Sequence, residues 1–476
     1  MKTTAWLSTL PLLLLLLPAC GGAAPPPAEA PAARCPTEDA PFRSAAPQVR
    51  DDPAPARVPF ESFTLDNGLT VVVVPRHNFP VVSAQLVIDV GGASADDVGG
   101  RRAFVASRVY LAPPEGVTGT AVSCGVPYCS VTATAPSDQL TTVLARIGRL
   151  VLPASLPREI VDNRLATAAR LFEISGGDPS LAVGRNVRAI MFGFHHEYGE
   201  STSTQRPTAD EVRAFRDRAL VPRAATLVLA GDVSAGDARA AVASALGAWP
   251  DVGPVTSRPQ APPPPAGPHI VVCPAPNLAQ LQGVVAARGP RAADPDAPAF
   301  RVLVELLGGG AASEAYRRVR EEQAAAYAVG GNIEWFPDAS YVFVRGAFDD
   351  DKVTGGMKAL LDAIAALRDS GPSEADLDRA RRTLLSRWRT TTGTATGLAT
   401  LFAVAPSLGV PLDHVQDLPA QVSAVTREQV RAAAQRYLSQ DALRLVFVGE
   451  AAYLLDAGRL GFGWPAKTNG FGEPQP

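Results

Sequence analysis

Short runs of consecutive apolar residues alternate along the chain with stretches whose apolar positions recur every three or four residues. The first pattern predicts strands and the second helices. Residues 69–75 (LTVVVVP) and 83–90 (SAQLVIDV) are short, rich in β-branched residues and flanked by Asn-Gly and Gly-Gly, so they predict two neighbouring strands. Further on, Met357, Leu360, Leu361, Ile364 and Leu367 share one helical face that ends at Ser370-Gly371-Pro372, and Ser373 predicts the cap of a following helix. Strands come in pairs and helices in pairs rather than in strict alternation, which predicts an α+β fold.

One pattern occurs twice. TADEVRAFRDRALVPRAATLVLAGD from Thr208 and TREQVRAAAQRYLSQDALRLVFVGE from Thr426 superpose without gaps, matching Thr208 with Thr426, Val212 with Val430, Leu220 with Leu438, Leu227 with Leu445 and Gly231 with Gly449. Each copy predicts a Thr-capped helix, a turn and a buried strand ending at glycine. Because each lies near the end of one half of the chain, they mark a duplication of a unit of about 200 residues. Between the halves, SRPQAPPPPAGP (257–268) carries four consecutive prolines, which favour an extended, semi-rigid connector. The expected organisation is therefore a first domain over 58–256, a linker over 257–268, a second domain over 269–465 and a tail over 466–476.

Composition narrows the function. The 44 Lys+Arg residues are outnumbered by 47 Asp+Glu, which leaves no basic surplus for a phosphate backbone and excludes nucleic acid as the expected partner. The first 19 residues have one early lysine and a short leucine run, the form of a secretory signal rather than a membrane span. LPAC, ending at Cys20, resembles the bacterial lipobox; the resemblance implies that Cys20 carries a lipid, although a plain cleaved signal reads the same letters. Residues 20–57 are an Ala/Pro-rich tract without apolar periodicity, the composition of a tether. The expected location is the bacterial cell envelope, lipid-anchored at the outer membrane and facing the periplasm. In that oxidising compartment Cys124 and Cys129 are close enough in sequence for a disulfide, or are two inert buried thiols.

GFHHEYGE (193–200) is the densest cluster of potential metal ligands. Adjacent helical residues point about 100° apart, so His195 and His196 do not converge as an i, i+4 pair does. His196 and Glu200 have that spacing, but Gly199 between them disfavours a helix, and a surface loop is the expectation. His77, His269 and His414 stand alone, as surface or satisfied core histidines do.

FTLDNGLTVVVVPR, VVSAQLVIDVGG, PTADEVRAFRDRALVPRAATLVLAGD and LGGGAASEAYRRVREEQAAAY together resemble the insulinase/pitrilysin metallopeptidases, particularly short bacterial members related to mitochondrial processing peptidase, over residues 58–460. The resemblance implies two homologous α/β two-layer domains of the processing-peptidase-like metallohydrolase type, facing one another across a peptide-binding chamber. Active members carry His-x-x-Glu-His after the second strand: two histidines on one helical face hold zinc, and the glutamate takes a proton from the metal-bound water. Here the matching stretch, GGRRAFVASRVY, has Ala103 and Ser107 at the ligand positions and Ala106 at the base. A methyl group neither coordinates zinc nor accepts a proton. Glu173, near the expected third ligand, cannot hold zinc by itself. This chain is expected to bind no cofactor.

The second half keeps what the first has lost. Arg320 and Tyr327 have the spacing of an Arg/Tyr pair which, the resemblance implies, donates hydrogen bonds to substrate near the scissile carbonyl. Glu322, Gln323, Ala324 and Ala325 replace the family's Lys-Arg-Gly-Leu between them, and if that glycine needs a positive φ, Ala324 resists the turn. A surface helix starting at Ser313, with Arg320 solvated or paired to a glutamate and Tyr327 in the core, accounts for the same letters. Gly308 to Gly310 lack a following Lys-Ser/Thr and are read as close packing or a turn, not a phosphate loop. Two functions follow from the resemblance: the Arg/Tyr-bearing subunit of a heterodimeric peptidase, with zinc in a partner chain and peptides as substrates, or an inactive pseudopeptidase that binds peptides or scaffolds an envelope complex.

Overall fold

The computed structural model describes residues 57–89, 120–125, 128–152, 157–175, 177–193, 196, 198, 208–252, 260–275, 278, 280–349, 351–450 and 455–476. They belong to one compact unit, Ala54–Pro476. Cys20, most of the tether, Ala103, Ala106, Ser107 and His195 lie outside the described residues.

The first sheet contains β1 (Glu61–Thr64), β2 (Thr70–Pro75), β3 (Val81–Asp89), β4 (Thr120–Cys124), β5 (Tyr128–Pro136) and β6 (Ala225–Gly231), in the order β1-β2-β6-β3-β5-β4. Its helices are α1 (Leu140–Val151), α2 (Arg158–Ser175), α3 (Pro179–Phe192), α4 (Ala209–Ala219) and α5 (Ala235–Leu246). The second sheet contains β7 (Ile270–Pro274), β8 (Leu281–Gly289), β9 (Ala326–Trp335), β10 (Ser340–Phe348), β11 (Arg444–Gly449) and β12 (Ala466–Lys467), in the order β12-β7-β11-β8-β10-β9. Its helices are α6 (Ala297–Gly308), α7 (Val353–Asp369), α8 (Glu374–Thr392), α9 (Ala395–Ser407), α10 (Leu412–Ala424) and α11 (Arg427–Tyr437).

The repeat seen in the letters is a repeat in register. Leu227 on β6 lies opposite Val71 on one side and Leu86 on the other, and its counterpart Leu445 on β11 lies opposite Ile270 and Val285. Thr208 and Thr426 each close a capping box, with Glu211 and with Gln429, at the helices that precede these strands. Two expectations need correction. β2 and β3 are not neighbours: β6 enters between them, parallel to β2 and antiparallel to β3. Its sequence ATLVLAG is apolar on both faces, and only an inner strand buries both. Nor are residues 466–476 a loose tail: β12 pairs with β7 at the edge that β1 fills in the first sheet, and Thr468 hydroxyl donates to Asn186 Oδ1 at 2.5 Å.

Each half covers a face of the other's sheet. α9 packs Leu398, Ala399, Phe402 and Ala403 on Val72, Val87, Val228 and Ala230 of the first sheet. α3 packs Val183, Val187, Met191 and Phe192 on Val284, Ala286, Val446 and Val448 of the second. Thr400 on α9 donates to buried Gln85 on β3 at 2.6 Å, satisfying a polar group inside the contact. The apolar run of α9 is thereby accounted for as buried core; no single described helix is long and apolar enough to cross a membrane.

Candidate functional site

The Arg320 site is built by the connection from α6 to β9. α6 ends at Gly308, where a Cβ would meet the Gly331 backbone nitrogen of β9 at 2.6 Å, so the first glycine of LGGG is there for close backbone approach. Ser313 then accepts the Tyr316 N–H on its hydroxyl at 3.3 Å and opens a π-helical stretch, Tyr316–Glu322. This wider turn, a geometry that recurs at functional sites, is pinned inside by Ala315, Val319 and Ala325, all buried. At its end Ala324 takes φ +46°, the one non-glycine positive φ among the described residues. The Lys352 ammonium donates to the Ala324 carbonyl at 3.3 Å and the Ala325 N–H to the Val319 carbonyl at 2.9 Å, closing the turn over it. The expected conflict at Ala324 is therefore absorbed as a left-handed residue, and the chain still delivers Tyr327 to the start of β9, the edge strand of its sheet.

There the Arg320 guanidinium carbon lies 4.7 Å from the centre of the Tyr327 ring and 5.0 Å from that of Tyr316, whose hydroxyl accepts a hydrogen bond from Nη1. Among the described residues Arg320 has no carboxylate within ion-pair distance, and Glu321 and Glu322 point to solvent. Tyr327 is 76% exposed, so it is not the core residue that the alternative reading required. The pair offers a fixed cation and a phenol at an open sheet edge. It can donate to an oxygen gaining negative charge, but it holds no nucleophile and no base.

Among the described residues no group of three or more His, Cys, Asp or Glu side chains is placed to hold a metal ion. Glu173 sits on the exposed side of α2. Cys124 and Cys129 are joined as a disulfide beside the hairpin of β4 and β5. The described part of GFHHEYGE is non-helical, as expected of a loop, but it is not all at the surface. Tyr198 is fully buried, stacked on Phe336 at 4.4 Å with Phe192 against its edge at 5.5 Å. His196 accepts the Tyr198 N–H on Nδ1 at 3.0 Å and donates from Nε2 to the Gln260 carbonyl at 3.0 Å, which assigns the neutral tautomer and occupies both ring nitrogens. Burial holds its pKa below the ordinary histidine value. The missed signal was Phe192 and Tyr198 bracketing the charged letters, an aromatic anchor for the second sheet.

Residues 207–384 match the family model described as the peptidase M16 inactive domain. An uncharacterized zinc protease of Mycobacterium leprae is 25% identical over 278 residues, 55% of this chain, and the match spans only 60% of that relative's length. Among solved structures, a peptidase M16 inactive domain from Pseudomonas fluorescens is similar at TM-score 0.73 and 20% identity over 82% of this chain and 98% of its own. A Helicobacter pylori protease is similar at TM-score 0.73 and 15% identity, over 83% and 100%. The first half of the periplasmic protease PqqL from Escherichia coli gives TM-score 0.65 at 15% identity, over 84% and 94%. These structures share the fold. Residues 207–384 are thus similar to the M16 inactive domain and the chain shares the fold of M16-type peptidases, while its sequence carries Ala103, Ala106 and Ser107 where the resemblance places the zinc motif.

Proposed function

We propose that this chain is the non-zinc subunit of a two-chain envelope peptidase, supplying Arg320 and Tyr327 to a peptide bound at the zinc site of a partner. The observation that carries the reading is a guanidinium, without a carboxylate partner among the described residues, held 4.7 Å from an exposed phenol at a sheet edge. As water adds to a peptide carbonyl its oxygen becomes anionic, and two preplaced donors stabilise that charge without reorganising. Zinc and the general base belong to the partner, since Ala103, Ala106 and Ser107 supply neither.

In this reading the domains over 58–256 and 269–465 form walls of a peptide chamber, and a lipid on Cys20 with the following tether holds them at the outer membrane, facing the periplasm. The PqqL relative, solved as one half of a periplasmic protease, supports the idea of a fold that works in paired copies. The test is co-expression with a chain of the same family bearing intact His-x-x-Glu-His: the two should co-purify, with zinc in the pair and none in this chain by itself. Persistent separation of the two chains, with each candidate partner cleaving peptides equally well without this one, favours the second reading, a pseudopeptidase scaffold.

A further inference from the structure

The duplication gives the second half a place equivalent to the emptied zinc stretch, and that place is a furnished cavity. α6 follows the second strand of its sheet, β8, as residues 103–107 follow β3, and α8 holds the position in the second half that α2 holds in the first. Between α6, α8, α10 and β9 lies a cavity of about 340 Å³, at the lower end of the range for small-molecule sites.

Its polar groups come from α6 and α8. Arg301 and Glu305 sit one turn apart on α6, and Arg387 on α8 donates to both carboxylate oxygens of Glu305, with Nη2 also donating to the Gly309 carbonyl at 2.8 Å. That pair is internally neutral. Arg301 is different. Its guanidinium lies on the face of Trp335 at 4.2 Å, its Nε is shielded from solvent without a hydrogen-bond partner, and no carboxylate pairs with it among the described residues. The remaining lining is mostly apolar, including Trp388, Leu384 and Leu418.

A half-buried arginine whose shielded Nε–H has no acceptor is costly unless an anion completes it. Among the described residues that line it, Arg301 and Arg387 face one carboxylate, Glu305, so one further negative charge balances the cavity. A doubly charged phosphate would exceed it and be repelled by Glu305. We propose that this cavity binds a small apolar monocarboxylate, with the carboxylate on Arg301 and the hydrocarbon body between the two tryptophans and Leu418. The same chemistry is presented by a free aryl or alkyl acid and by the C-terminus of a peptide ending in an apolar residue. A planar fork donating to a planar carboxylate is the pairing that arginine makes best.

The experiment titrates the full chain, without any partner, by calorimetry and tryptophan fluorescence. The probes are 3-phenylpropionate and N-acetyl-leucyl-phenylalanine, each compared with its neutral amide. The expected result is saturable one-to-one binding of at least one acid, about tenfold or more tighter than its amide, with Arg301→Met removing the preference and Arg301→Lys retaining part of it. Whichever acid binds tighter identifies the source. Equal affinity for acid and amide, or no saturable binding of either acid, overturns the proposal; the amide comparison decides even if Arg301→Met does not fold. Since no zinc chain is present, this test is independent of the proposed peptidase partnership.

Discussion

Arg320 approaches the Tyr327 ring to 4.7 Å although the residue that turns the chain between them, Ala324, sits at φ +46°. A site survives here on a backbone conformation that alanine disfavours, and the energetic consequence is measurable.

Left-handed geometry costs an L-residue about 1–2 kcal/mol. Ala324→Gly should therefore raise the unfolding free energy by about 1 kcal/mol and Ala324→Val should lower it, as read by urea denaturation followed by circular dichroism. An unchanged midpoint in both variants contradicts the assigned turn.

His196 should show an acid-side effect. Its folded pKa lies below the unfolded value of 6.5 because burial disfavours the imidazolium, so the unfolded state takes up the proton first. Stability from this residue is complete above pH 6.5 and declines as pH falls from there through the lowered folded value. Nδ1 already accepts the Tyr198 N–H, so protonation also breaks that contact. An NMR titration should find the His196 ring titrating below an ordinary histidine, and a shift in the opposite direction rejects the assigned tautomer.

The exchange of α3 and α9 couples the halves. Phe402 is fully buried against the first sheet though its helix belongs to the second half, and Phe402→Ala should cost about 3–5 kcal/mol. Because each half contributes core to the other, heating should give one cooperative transition. Trp249, buried in the first half with its indole N–H on the Leu220 carbonyl, should lose its signal together with Trp388 of the second. Two separated transitions contradict the mutual packing.

Much of this fold was legible where the information is local. The Thr208 and Thr426 caps, the strands they lead into and the fold class follow from period, capping chemistry and repetition. What was not legible is non-local. Nothing in LTVVVVP states that β6, more than a hundred residues later, will take the place beside it, and nothing in the apolar run of α9 names the sheet that it covers. At the site, the Arg320 and Tyr327 letters located the pair. The π-helical turn that brings them together has an ordinary helical composition, YRRVREE, and Tyr327 itself falls in the register irregularity between β9 and β10. Arg301 reads in the sequence as a commonplace helical charge; only its packing on Trp335 separates it from a solvated one.

The central claim is that Arg320 and Tyr327 serve a metal held by another chain, and the most direct measurement is peptide cleavage by a co-purified pair of this chain and a zinc-motif partner. The account predicts that Arg320→Ala lowers kcat about 10²-fold or more and Tyr327→Phe lowers it as well, with KM, pair assembly and bound zinc little changed. Cleavage at the wild-type rate by both variants, in pairs that assemble and hold zinc normally, would contradict it.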